Sequence, residues 1–348
     1  MIRKTLFGKL RDGRPVFRYE LESSDGMRVA LINYGAIVTS IVVPDREGRF
    51  DDVVLGYDSL EGYLADPYFM GSIVGRYGNR IANGKFRLNG HIFHLRLNDG
   101  PNHLHGGPEG FYKVLWSEVS ANGSAVQLTY ESLDGEEGYP GNLIINVTYE
   151  LTGNGALQIR YEAETDKPTI LNPTHHSYFN LSGDNTKPVV DQEISIYADQ
   201  FTPLNRFQIP TGELAEVSGT PMDLRLPVPI GKNIGSDYEQ IIIGRGFDHN
   251  YVLDNGSDAV KRAAQVYERG SGRLMEVLTD QPGIQFYSGN FLDGTATGKN
   301  KQPLGYRCGL CLEAQNFPDA PNQPGFPPAT LLPGEKYHQT TVYRFSTD

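Results

Sequence analysis

The side chain with most chemistry to offer stands in positions 309–319, GLCLEAQNFPD. Read as a strand, this stretch puts Leu310 and Leu312 on one face and Cys311 and Glu313 on the other. A carboxylate among apolar neighbours is costly unless hydrogen-bonded or paired, and burial lifts its pKa toward neutrality. Glu313 is therefore a candidate general base; the ordinary alternative is a surface glutamate beside a sheet edge. Positions 172–182, NPTHHSYFNLS, place two adjacent histidines among small polar and aromatic residues. Adjacent strand residues face opposite ways, so at most one of His175 and His176 points into a given cleft, and the other is packed and hydrogen-bonded. Tyr178 and Phe179 fit either a sugar face or the core, which is the commoner fate, and Trp116 stands under the same choice.

Three further stretches qualify. In NDGPNHLHGG (98–107), His103 and His105 alternate around Leu104 and would share a strand face. Gly106 and Gly107 then let backbone approach a ligand closely. An exposed loop histidine or a His-x-His metal pair is the plainer reading. In GRGFDHN (244–250), Asp248 is a candidate set against a simple Asx turn. In GRYGNRIAN (75–83), Arg76 and Arg80 are candidate hydrogen-bond forks, set against surface salt bridging.

Polar groups that both donate and accept, spread along one scaffold, suit a sugar with its many hydroxyls. One base and one acid, Glu and His, suffice to move a proton at each end of a hemiacetal. Other chemistries lack their motifs. The chain has no G-x-S-x-G, Walker loop, H-E-x-x-H or EF-hand loop, and GSIVGRYGN (71–79) does not match G-x-G-x-x-G. Nothing here calls for a nucleotide or a fixed metal. Cys308 and Cys311 form a C-x-x-C without a second pair for zinc, and two cysteines are too few for a disulfide scaffold. A net charge of -11 disfavours nucleic acid and anionic lipid as partners. No apolar run is long enough to span a membrane, and MIRKTLFGKLRDG lacks the apolar centre of a signal peptide. A cytoplasmic protein is expected.

The elements that must position these residues are strands. In LIINVTYEL, Leu143, Ile145, Val147, Tyr149 and Leu151 alternate with polar residues, and ALQIRYEAE and AVQLTYE repeat the pattern. Asn89-Gly90 and Asn122-Gly123 supply the positive φ angles of tight hairpin turns, and Gly153-Asn154-Gly155 joins two of the strands. The alanines of SDAVKRAAQVYER (257–269) favour helix, but Gly270-Ser271-Gly272 and the alternating RLMEVLT that follow point to a hairpin. With 40 glycines and 22 prolines in 348 residues, turn-formers are in excess without low complexity. The Pro-rich stretch 316–334 precedes a last strand, so it is a loop over the core and not a tether. These signs predict an all-β protein, a large antiparallel sandwich with very little helix, and one domain over 1–348.

Taken together, INYGAIVTSIVVPDREGRFDDVVLGYDSLEGY (32–63), GRYGNRIANGKF (75–86), NHLHGG (102–107), HHSYFNLSG (175–183), DHNYVL (248–253), QPGIQFYSGNFLDG (281–294) and CLEAQNFPDAPNQPGFPPATLLPGE (311–335) resemble the aldose 1-epimerase (galactose mutarotase) family nearly end to end. The resemblance implies a β-sandwich with an open cleft and a cofactor-free interconversion of the α and β anomers of aldohexoses such as galactose and glucose. It implies Glu313 as catalytic base and His176 as catalytic acid. It implies substrate contacts from Arg80, His105, Asp248 and Gln285, with Asn79 beside them. Near pH 7 this scheme expects Glu313 ionised and His176 charged. The expected partner is a small aldohexose, the expected state monomer or homodimer. The alternatives are a non-catalytic carbohydrate-binding protein using the same cleft, a glycoside hydrolase built on Glu313 and Asp248, and an epimerase of phosphorylated hexoses, which would want extra cations for the phosphate.

Overall fold

The alternating stretches pair as their patterns require. In Leu143–Gly153, Leu143, Ile145, Val147, Tyr149 and Leu151 are buried while Ile144 and Thr152 are exposed. Its neighbour Ala156–Thr165 buries Leu157, Ile159, Tyr161 and Ala163 in the same way. The computed structural model describes residues 2–253 and 259–348. These two strands sit inside a nine-stranded antiparallel sheet. Its order is Ser117–Asn122, Ala125–Ser132, Leu143–Gly153, Ala156–Thr165, Tyr337–Thr347, Arg273–Thr279, Lys261–Glu268, Glu193–Ile196 and Val228–Pro229. The C-terminal strand Tyr337–Thr347 lies at its centre, between strands that begin at residues 156 and 273. Over the described part of 257–269 the hairpin reading holds: Lys261–Glu268 pairs antiparallel with Arg273–Thr279. Ser257 and Asp258 lie outside the described residues.

Beside it stand two five-stranded antiparallel sheets, and four two-stranded pairs complete the described strands. The N-terminal one is a meander of Arg3–Lys9, Pro15–Glu22, Arg28–Ile32, Val38–Pro44 and Phe50–Asp52. The other, in the order Ala215–Glu216, Gln200–Phe201, Asp248–Val252, Gly283–Tyr287 and Cys311–Gln315, carries the chemistry. Helix is confined to short pieces, Leu60–Leu64 and Glu239–Gly244 being the α-helical ones described. The protein is thus all-β and antiparallel. The Asn89-Gly90 turn joins Lys85–Leu88 to His91–His94 with φ of 48° and 84°. At the second Asn-Gly the strand runs through Asn122, and Gly123 with Ser124 makes the turn.

One apolar core holds the sheets together. Ile284, Phe286 and Leu312 point into it from the chemistry-bearing sheet, and Val147, Ile159, Val277 and Tyr343 meet them from the large sheet. Each such side chain, when fully buried, contributes about 1.5–3 kcal/mol. The hydroxyl of Tyr343 donates to the carbonyl of Leu312 at 3.1 Å, which ties the central strand of one sheet to the edge strand of the other. Because side chains alternate, a strand whose even positions 284, 286 and 312 enter this core must turn its odd positions the other way.

Candidate active site

Those odd positions form a grid with the even positions of Asp248–Val252. Asp248, Tyr287 and Cys311 are aligned across the three strands, then Asn250, Gln285 and Glu313, then Val252, Gly283 and Gln315. Glu313 is 2% exposed. Nε2 of Gln285 donates to Oδ1 of Asp248 at 2.7 Å, so the amide steers the carboxylate toward the cleft. Asp248 therefore lies in a strand, Asp248–Val252, and not in an Asx turn.

The other side of the cleft comes from earlier in the chain. His176 is 4% exposed, and its backbone is pinned by bonds to Ser72 and Gly71 at 2.9 Å each. Its Nε2 stands 3.8 Å from Oε1 of Glu313, and its Nδ1 is 3.6 Å from Sγ of Cys311. His175 points the opposite way, with Nε2 against the hydroxyl of Ser177 at 2.7 Å and its ring against Tyr149 and Tyr343. The adjacent histidines divide between cleft and core, as alternation demands.

His105 is held by Asn79 through two backbone contacts. The amide of Asn79 donates to Nδ1 of His105 at 3.1 Å, and the carbonyl of Asn79 accepts from the amide of His105 at 3.1 Å. An Nδ1 that accepts leaves the proton on Nε2, so His105 presents a fixed N–H donor. The expectation that His103 and His105 share a face is corrected. The strand ends at Leu104, His105 turns to φ 51°, and His103 is spent between the carbonyl of Arg96 and the hydroxyl of Tyr139. Gly106 follows at φ 87°, where a β-carbon would collide with the carbonyl oxygen of Gly75.

Arg80 is buried, and its fork is shared. Nε donates to Asp99 and Nη2 to Gln208, both at 2.7 Å, and Nη1 lies 4.0 Å from Oδ2 of Asp248. Arg76 is not part of the cleft. Its guanidinium is buried among Ser132, Leu133 and Pro140 and braces the loop there. Neither arginine is a surface ion pair. Tyr178 lines the cleft, whereas Phe179 packs on Tyr343 and Trp116 on Phe111 in the core. The cavity has a volume of about 550 Å³. Sequence reasoning did not single out Phe69, Asp99 or Gln208. Phe69 packs edge-on against His105 with centroids 4.7 Å apart. Asp99 stood in the quoted NDGPN stretch, but a lone acidic residue in a turn gives no sign of its distant arginine; Phe69 and Gln208 gave no signal.

Burial sets the electrostatics. It pushes the Glu313 carboxyl well above its ordinary value; Asp248 adds repulsion and Arg80 opposes it. Burial pushes His176 down to about 4, and His105 well below its ordinary value with help from His176 and Arg80. Asp248 is raised by burial, against the pull of Arg80. In the free cleft burial therefore favours the uncharged form of each group, a protonated Glu313 carboxyl and a neutral His176 imidazole. This opposes the charged pair expected from the sequence, because both side chains are removed from water.

His105, His176 and Glu313 offer ligand atoms all within 4.8 Å of one another, the donor set of a catalytic zinc site. The hydrogen bond from the Asn79 amide argues against that use. The nitrogen left for a metal is Nε2, and freeing it would turn an Nδ1 proton against another N–H. The arrangement suits hydroxyl groups better: a fixed donor at His105, a cation at Arg80, an acceptor at Asp248, and a carboxyl beside an imidazole at the centre; Gln285 does not line the cavity and acts on it through Asp248.

A sequence-family model described as aldose 1-epimerase matches residues 18–344. Galactose mutarotase of Bos taurus is 48% identical over 347 residues, covering 99% of this chain and 98% of its own. Aldose 1-epimerase of Escherichia coli K12 is 38% identical over 336 residues, 96% of each chain. Among solved structures, galactose 1-epimerase from Lactobacillus acidophilus superposes with a TM-score of 0.87 at 31% identity, covering 100% of this chain and 99% of that one.

Proposed function

The chain belongs to the aldose 1-epimerase family and is an isomerase that interconverts the anomers of aldohexoses, and from that premise we propose that Glu313 is its base and His176 its acid, with galactose and glucose as substrates. The observation that carries the assignment is the 3.8 Å between Nε2 of His176 and Oε1 of Glu313 in the floor of one cleft. The two oxygens that exchange protons in a hemiacetal are both bonded to C1, so an acid and a base that close together reach both.

Binding of the sugar places hydroxyl dipoles against the pair and favours the charged arrangement, Glu313 ionised and His176 protonated. Glu313 takes the proton from the C1 hydroxyl while His176 gives one to the ring oxygen. The C1–O5 bond breaks and the aldehyde forms. Rotation about C1–C2 turns the other carbonyl face to the C5 hydroxyl. His176 takes that hydroxyl's proton as the C1–O5 bond re-forms, and Glu313 returns its own to the carbonyl oxygen. Each positioned acid or base contributes roughly 10²–10⁴-fold. The Nε2 proton of His105 and the Arg80 guanidinium stabilise negative charge that develops on oxygen, and Asn79 and Asp248, the latter oriented by Gln285, fix the remaining hydroxyls. Holding the open chain keeps its ends in reach for reclosure.

Residues 1–348 act here as one domain, which the large sheet supports by drawing strands from residues 117 to 347. The protein works as a monomer or homodimer in the cytoplasm. Cys308 and Cys311, both buried free thiols, fit a reducing compartment. No helix among the described residues is long and apolar enough to cross a membrane.

Polarimetry on fresh α-D-glucose and α-D-galactose tests the assignment. Glu313→Gln keeps the side-chain shape and removes the base. Near-complete loss of mutarotation with sugar binding largely retained is expected; full activity would refute the role of Glu313.

A further inference from the structure

The sheet that carries Glu313 holds more polar groups than the cleft uses. Both side-chain polar atoms of Asn250 and of Gln315, Oε1 of Gln285 and Oε2 of Glu313 are buried without a hydrogen-bond partner in the protein. Asn250 and Gln315 are 1% and 0% exposed, so bulk solvent does not serve them. Neither lines the sugar cavity. Buried amides of this kind are satisfied in folded proteins by ordered water, where the site is polar and has room. Gly283 makes the room. It pairs with Val252 on one side and Gln315 on the other, and a β-carbon there would collide with Oδ1 of Asn250. Asn250 therefore leans over the glycine, beside Phe317, and its amide takes the place that a side chain at 283 would fill, with Gln315 the next residue across the sheet.

We propose that Asn250 and Gln315 are positioning residues for the epimerase reaction: with Oε1 of Gln285 they hold a small cluster of buried water behind Glu313, and that water donates a hydrogen bond to its Oε2. Nε2 of Gln285 is already committed to Asp248, which leaves its Oε1 to accept from the cluster. The bond turns Oε1 of Glu313 toward the sugar. A hydrogen bond to the ionised carboxylate favours that form, so the cluster counters the burial and the Asp248 repulsion that keep Glu313 protonated. Glu313 is also faced by His176 and Tyr178, by His105 and Arg80, by Tyr343 of the large sheet, and by Tyr287 and Cys311 on its own sheet, none of which the variants replace.

This role rests on Glu313 being the base, and the experiment separates the two. Asn250→Leu and Gln315→Met replace the amides with apolar groups of similar size, which a fold tolerates well when both partners of a polar contact go. We expect kcat/KM to fall about tenfold on the acid limb of the pH profile and no more than about twofold on its plateau, because the base is harder to ionise. Equal losses at every pH, or none, would overturn the proposal while leaving the base assignment intact if Glu313→Gln is inactive. An active Glu313→Gln would remove the premise instead. If the variants do not fold, a crystal structure of the unaltered protein at better than ~1.5 Å decides. Water bonded to Asn250, Gln315 and Oε2 of Glu313 supports the proposal. A direct amide-to-amide bond with no water reaching Oε2 overturns it.

Discussion

Gly106→Ala isolates how the backbone aims His105. Two costs are separable. The glycine sits at φ 87°, a region that costs an L-residue about 1–2 kcal/mol. A β-carbon there would also run into the carbonyl oxygen of Gly75, a backbone atom that cannot swing aside. Relieving such overpacking costs a further ~1–3 kcal/mol, for a total near 2–5 kcal/mol. Gly90→Ala is the control. Gly90 has φ 84° in a hairpin remote from the cleft, and a β-carbon there meets nothing within 4 Å. It bears the conformational cost alone. Urea unfolding of both variants should show Gly106→Ala losing more stability than Gly90→Ala by the ~1–3 kcal/mol of the clash. Below its unfolding transition, Gly106→Ala should also lose on the order of 10²-fold in kcat/KM, since relief displaces the neighbouring His105 by about an ångström. Gly90→Ala should turn over normally. Equal destabilisation of the two variants, or normal activity in Gly106→Ala, would refute the claim that this close approach aims the imidazole.

Three further outcomes are expected. Burial holds His103 and His176 at about 4 and His175 and His249 at about 3, below the ordinary 6.5. The unfolded chain then binds more protons at these sites between those values and 6.5, so the stability these histidines contribute should fall as pH drops from ~6.5 toward 4, by up to ~1.4 kcal/mol per histidine per unit. Glu313, Asp248, Asp66, Asp319 and Glu137, shifted upward, work in the opposite sense; imidazole proton resonances of these histidines that titrate near ~6.5 in the folded protein would contradict their burial. Arg80→Met removes the donor to Asp99 and Gln208 and the cation nearest Asp248. It should cut kcat/KM by about 10–100-fold, the range for losing one charge-assisted bond or two, chiefly through KM, read from initial mutarotation rates. Prolonged EDTA dialysis should leave mutarotation unchanged, because the His105 tautomer suits a sugar hydroxyl and not a metal; activity restored only by a divalent cation would overturn that reading.

Much of this protein was legible in its residues. Alternation in Leu143–Gly153 and Ala156–Thr165 gave the strands and the faces they bury, because a period of two follows from the geometry of one chain. The same rule placed Leu312 in the core with Glu313 turned away from it, and sent only one of His175 and His176 into the cleft. It failed where the backbone leaves the strand region: His105, at positive φ, parts from His103, and Arg76 goes inward to brace carbonyls. Local pattern also could not say which strands are neighbours. Gln285 stands across from Glu313, and Asn250 beyond it, only because strands from residues 248, 283 and 311 pair in this register. The partners of Arg80, Asp99 and Gln208, stand 109 positions apart in the chain. Such contacts, and the desolvation that raises Glu313 and lowers His176, depend on what surrounds a side chain in space. That is a property of the closed sheets and not of any stretch of chain.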